Sequence, residues 1–115
     1  MKIAVIGSRN LAPTDIGRYI SSCEEIVTGG AVGVDTCAEE YAKKNKIRFT
    51  VFYPDYKRYG RAAPILRNRQ IVDYADEIVA FWDGESKGTL SVIQYAAKMG
   101  KACKVIPSKR GLREK

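Results

Sequence analysis

Five short apolar runs, each closed by glycine, proline or aspartate, alternate along this chain with stretches of helical period, and nothing else constrains its fold as strongly. Ile3-Ala4-Val5-Ile6 is unbroken and ends at Gly7, the pattern of a strand buried on both faces. Ile26-Val27 stops at Thr28-Gly29-Gly30, Phe49 to Tyr53 is closed by Pro54, Glu77 to Trp82 ends at Asp83-Gly84, and Cys103 to Ile106 runs into Pro107. Between the first two runs, Pro13 stands where a first helical turn tolerates it, and Ile16, Tyr19, Ile20 and Cys23 follow at helical spacing. Val34, Cys37, Ala38, Tyr41 and Ala42 mark one face of an amphipathic helix, with Lys43, Lys44 and Lys46 at the end where cations suit the helix dipole. A polar, tyrosine-rich loop is expected over 54–63. Two further helices are expected, one from near Pro64 to about Tyr74 and one from about Thr89 to Met99, the second stopped by Gly100.

Strand and helix alternating in this way predict an α/β fold: a Rossmann-like three-layer sandwich with a five-stranded parallel sheet, order 3-2-1-4-5, and helices on both faces. The length of 115 residues suits one domain, placed at 1–107, followed by a basic tail at 108–115. Ligands of such sheets bind beyond the C-terminal strand ends, near the point where strand order reverses.

Composition excludes several classes of function. There is no histidine, and the three cysteines (Cys23, Cys37, Cys103) form no CxxC pair, which argues against a zinc site, a histidine-based triad or a histidine general base. Unpaired, widely spaced cysteines fit reduced thiols in a cytoplasmic protein, and no apolar run is long enough for a membrane span. The net charge of +7 is blocked: residues 1–42 carry −3, 43–69 carry +8, 70–97 carry −4 and 98–115 carry +6. Such basic blocks are either solvated faces or attractors of phosphate.

The loops after the strands carry the chemistry. Gly7-Ser8-Arg9, Thr28-Gly29-Gly30 and Asp83-Gly84 followed by Ser86-Lys87-Gly88-Thr89 all end strands in small or polar residues. Glycine lets backbone amides approach an anion, and the helix that follows aims its positive end at it. Singly, each loop is equally an ordinary strand-to-helix turn. Three of them at one sheet edge point to a ligand site. Neither GxGxxG nor GxxxxGK[ST] occurs, so neither standard dinucleotide binding nor a P-loop is indicated. Asp35 stands in a first helical turn, where the dipole alone favours it, and is also placed to bond a ribose hydroxyl or to hold Arg9. Arg67 lies near a helix N-terminus, where a cation is disfavoured, so it needs a specific partner: an anion or a surface ion pair.

Gly7-Ser8-Arg9 with Thr28-Gly29-Gly30-Ala31-Val32-Gly33-Val34-Asp35 and Ala38 resembles the paired opening motifs of the SLOG superfamily, which includes the DNA-processing proteins and the Lonely Guy phosphoribohydrolases. Tyr53-Pro54-Asp55, Tyr59-Gly60, Arg67-Asn68, Ala75-Asp76, Phe81-Trp82-Asp83-Gly84 and Ser86-Lys87-Gly88-Thr89 are most similar to the small YspA-like (YpsA-related) SLOG domains. The resemblance implies a nucleotide or nucleotide-derived ligand. It also implies that Arg67 meets a phosphate and that Asn68 joins the site. The chain departs from that branch at Pro64-Ile65-Leu66, where Gly-Pro is common, and at Val32, where a basic residue is common. In the phosphoribohydrolases a glutamate follows the Gly-Thr pair three residues on; here Val92 follows Gly88-Thr89, and valine can neither attack an anomeric carbon nor stabilise an oxocarbenium ion.

The leading expectation is therefore a binding or sensing domain that uses no cofactor. Its ligand-binding residues would be Gly7, Ser8, Arg9, Thr28, Gly29, Gly30, Asp35, Arg67, Asn68, Asp83, Gly84, Ser86, Gly88 and Thr89. The alternatives are a single-stranded nucleic-acid module, with Tyr53, Tyr56 and Tyr59 interleaved with Lys57, Arg58 and Arg61, or a glycosidase using Asp83 or Glu85. Exposed aromatics also point to a homodimer.

Overall fold

A computed structural model describes residues 1–107 except 9, 10, 12, 14, 21, 22, 31 and 32. Arg9, Ala31, Val32 and the tail at 108–115 thus lie outside the described residues. The strands are β1 (Lys2–Gly7), β2 (Glu25–Thr28), β3 (Arg48–Val51), β4 (Glu77–Trp82) and β5 (Ala102–Pro107). The helices are α1 (Val34–Lys44), α2 (Tyr56–Tyr59), α3 (Ala63–Tyr74) and α4 (Lys87–Lys98). All strand pairs are parallel and the order is β3-β2-β1-β4-β5, as the sequence predicts.

β1 and β4 form the centre, and alternate side chains serve two separate cores. Ile3 and Val5 with Val79 and Phe81 face one way, packing on Val34, Ala38 and Ala42 of α1 and on Leu11, Ile16 and Ile20. Ala4 and Ile6 with Ile78 and Ala80 face the other, packing on Ile71 and Val72 of α3 and on Val92 and Ala96 of α4. Both faces are therefore covered, which is why these runs are continuously apolar. At the sheet edge, β5 keeps most of its residues exposed.

The segment before β2 differs from expectation. Where a helix is predicted after Pro13, the described residues form a single 3-10 turn, Ile16–Arg18. Ile16 and Ile20 are nonetheless buried, so their spacing reports a core-facing crossing and not a helix. Gly17 lies against the Tyr41 ring of α1; an added Cβ there would stand 2.8 Å from it. The tyrosine-rich stretch, expected as loop, contains the one-turn α2, capped by the Asp55 side chain accepting from the Arg58 N–H. Gly100 does end α4, with Gly100 N–H and Lys101 N–H donating back to the Ala97 and Ala96 carbonyls in a Schellman arrangement.

At the end of the sheet away from the strand C-termini, Glu25 is buried and accepts from Thr50 Oγ1 (2.6 Å) and the Tyr74 hydroxyl (2.7 Å), with Arg48 3.9 Å away. Burial alone would push this carboxyl up; the two hydroxyl donors, Arg48 and Lys2 together outweigh it and hold it below the ordinary value of 4.5. A carboxyl lowered on folding stabilises the fold fully above its unfolded value and loses that contribution as pH falls through the folded one. Urea midpoints should therefore be level at neutral pH and decline as pH drops below about 4.5. Glu25→Gln should lose about 1–2 kcal/mol at pH 7 and show a shallower acid decline. An identical decline in the variant would remove Glu25 from the explanation.

Cys23, Cys37 and Cys103 are unpaired and partly buried, and burial pushes each thiol up. Among the described residues no helix is long and apolar enough to cross a membrane, and no cluster of carboxylates and thiols is arranged to hold a metal ion.

Candidate functional site

The crossings that carry α1 and those that carry α3 and α4 lie on opposite faces of the sheet, so strand order reverses between β1 and β4. A cleft of about 590 Å³ opens at the C-terminal ends of these strands. Gly7 and Ser8 enter it from β1, Gly29 from β2, Asp35 from α1, and Asp83, Glu85 and Ser86 from the loop after β4. Two helical faces complete the wall. Pro64, Arg67, Asn68 and Ile71 come from α3, and Gly88, Thr89 and Val92 from α4.

The β4–α4 loop is held by its own polar groups. Asp83 Oδ1 accepts from the Glu85 and Ser86 N–H groups, both at 2.9 Å, and Trp82 Nε1 donates to the Ser86 carbonyl at 3.0 Å. Ser86 is the N-cap, its Oγ accepting from Thr89 N–H and lying 3.2 Å from Thr89 Oγ1. The first backbone bond of the helix runs from Leu90 to Ser86, so the Lys87 and Gly88 amides have no helical acceptor. Ser8 ties the two central strands: its N–H donates to the Phe81 carbonyl, and its Oγ accepts from Asp83 N–H.

The β2–α1 loop is gripped from both sides at one residue, Gly29, through its two flanking peptide groups. Asp35, buried in the first turn of α1, accepts the Gly29 N–H at 2.9 Å, while Arg67 Nη1 donates to the Gly29 carbonyl. Arg67 Nε donates to Asn68 Oδ1 at 2.8 Å, which fixes the plane of the guanidinium. A Cβ on Gly29 would stand 2.8 Å from Arg67 Nη1, so a side chain there would push the guanidinium away.

Of the residues predicted for the site, Gly7, Ser8, Gly29, Asp35, Arg67, Asn68, Asp83, Ser86, Gly88 and Thr89 line the cleft. Arg9 lies outside the described residues. Thr28, Gly30 and Gly84 do not line it. Thr28 is wholly buried behind Gly29, and its Oγ1 has no partner among the described residues. Gly30 takes a φ of +76° with the Tyr53 ring against it, so both backbone and packing demand glycine there. Gly84 serves the turn between Asp83 and Glu85. Ile6, Pro64, Ile71 and Val92 also line the cleft without standing among the predicted ligand-binding residues, as does Glu85, named only as an alternative carboxylate. The i, i+3, i+4, i+7 spacing of 64, 67, 68 and 71 in α3 and the 88, 89, 92 spacing in α4 carry part of that information.

The glycines of the cleft differ in what requires them. At Gly7 an added Cβ would meet Val34 Cγ2 at 2.5 Å and the Phe81 carbonyl oxygen at 2.7 Å: this glycine lets α1 and β4 close on β1. At Gly88 an added Cβ would meet nothing within 4 Å, and its φ is not positive. Among the described residues, neither backbone shape nor packing calls for glycine in this first turn of α4.

The arrangement defines an α/β domain of Rossmann-like topology with a polar cleft at its topological switch point. No protein-family model matches the chain, and no curated protein is significantly similar to it in sequence.

Proposed function

We propose that the chain is a SLOG-type domain that binds a phosphate-bearing, nucleotide-type ligand in this cleft. Gly88 carries the reading: a residue that weakens its own helix, without local need, at the point where α4 offers unpaired amides. Bare backbone there gives an anion access to the Lys87 and Gly88 amides and to the positive end of the helix. Arg67 flanks the same cleft, and Glu85 and Asp83 offer acceptors to sugar hydroxyls. Val92 puts methyl groups where the resemblance calls for a carboxylate, which favours binding over cleavage of the glycosidic bond.

A thermal-shift series with nucleoside mono- and diphosphates tests this. A ligand at about 100 times its dissociation constant adds roughly 2.7 kcal/mol, a rise on the order of ten degrees for a domain this small. Gly88→Ala should leave the free protein as stable or up to about 1 kcal/mol more so, and Gly88→Leu should abolish the ligand-induced rise. No rise with any phosphate compound in the unsubstituted protein would sink the proposal.

A second reading, a module for single-stranded nucleic acid, draws on the exposed Tyr53, Tyr56 and Tyr59 beside Lys57, Arg58 and Arg61. It requires affinity for oligonucleotides that falls steeply with salt. Light scattering addresses the accompanying homodimer, which would show the mass of two chains.

A further inference from the structure

A second, smaller cavity of about 210 Å³ lies between α2 and α3, and Arg67 lines both it and the main cleft. Two exposed tyrosine rings, Tyr53 and Tyr59, form its aromatic part; Asp55, Gln70 and the guanidinium of Arg58 supply its polar edge. Tyr53 is seated on the backbone of Gly30, the residue next to the Gly29 peptide that Arg67 and Asp35 hold. Arg58 lies over Tyr59, 5.3 Å from the ring centroid, which steadies that ring. The two cavities are thus neighbours that share Arg67, and Tyr53 of the smaller one rests on the loop that lines the larger.

We infer that this cavity is the nucleobase subsite of the ligand whose phosphate lies in the main cleft. The inference rests on that reading and adds the part of the ligand that confers preference. The lining matches a flat heterocycle with both donors and acceptors on its edge. Aromatic faces stack a base whatever its identity, the Asp55 carboxylate accepts from amino groups, the Gln70 amide does both, and Arg58 donates to ring nitrogens or carbonyls. An anion alone would not suit it, because Asp55 stands in its wall. The ligand is accordingly a nucleoside phosphate that passes over Arg67, sugar on one side and base on the other.

Calorimetric titration of ribose 5-phosphate, adenosine 5′-monophosphate and guanosine 5′-monophosphate tests the assignment. At least one nucleotide should bind roughly tenfold or more tighter than the sugar phosphate, the usual worth of one stacked base. Tyr53→Ala should erase that advantage while leaving the sugar phosphate affinity unchanged. Tyr59→Ala, at a ring with no seat on Gly30, should do the same in part and guards against loss of folding in the first variant. Equal affinity for sugar phosphate and nucleotides, or equal loss of both in the two variants, would overturn the base subsite while leaving phosphate binding intact. Absence of binding by all three compounds would overturn the inference and the underlying reading together.

Discussion

Gly7→Ala should destabilise the protein by about 3 kcal/mol, lowering the melting temperature by on the order of ten degrees or more. The added methyl would overlap Val34 Cγ2 at 2.5 Å and the Phe81 carbonyl oxygen at 2.7 Å, and neither neighbour can yield easily. Val34 is wholly buried in the core beneath α1, and the Phe81 carbonyl accepts the Ser8 N–H that joins β1 to β4. Relief therefore means lifting α1 from the sheet or spreading the two central strands. The same substitution at Gly88, in the same cleft, meets empty space and should be neutral or stabilising. Thermal melts of the two alanine variants side by side should show a large loss at Gly7 and none at Gly88; a mild effect at Gly7 would show that α1 is free to move.

Asp35→Ala should cost about 3 kcal/mol, although the residue stands in a surface cleft. It removes a charged acceptor from the buried Gly29 N–H and a favourable charge from the first turn of α1. Asparagine keeps an acceptor of the same shape and gives up only the charge, so Asp35→Asn should lose about half as much. Denaturant midpoints for the pair separate hydrogen bond from charge. Equal losses would assign the whole effect to charge. The sequence offers two roles for Asp35, a sugar hydroxyl or Arg9; holding the Gly29 peptide is a third, visible only once β2 and α1 are in place.

What was legible in the sequence depended on how many neighbours a residue needs to declare itself. Ile3 to Ile6 and Ile78 to Phe81 are apolar on consecutive positions, which only a strand covered on both sides requires, and they place the centre of the sheet correctly. The face of α1 is equally plain from Val34, Ala38 and Ala42. Ile16 and Ile20 mislead because helical spacing and a core-facing crossing leave the same trace, and Gly17 under Tyr41 is a tertiary contact. α2 is a single turn, too short to leave a period. In the cleft, the strand-end residues Gly7, Ser8, Gly29 and Asp83 are legible because topology alone sends them there. Thr28 is one position too early on its strand, and its side chain turns away into the interior. Pro64 and Ile71 share a face of α3 that the spacing shows, but that this face turns to the cleft is plain only once α3 and α4 are set opposite one another.

The bond between Ser8 and Asp83 joins residues 75 positions apart, and this sets the order in which the cleft can come into being. Closing so long a loop sacrifices chain freedom before any contact repays it, and parallel strands built from distant segments pair slowly. A nascent chain that has emerged only through β3 possesses the Gly29 loop and its grip by Asp35, yet lacks Arg67, the far wall and the α4 amides. The cleft is therefore a late product of folding, completed only when β4 docks beside β1.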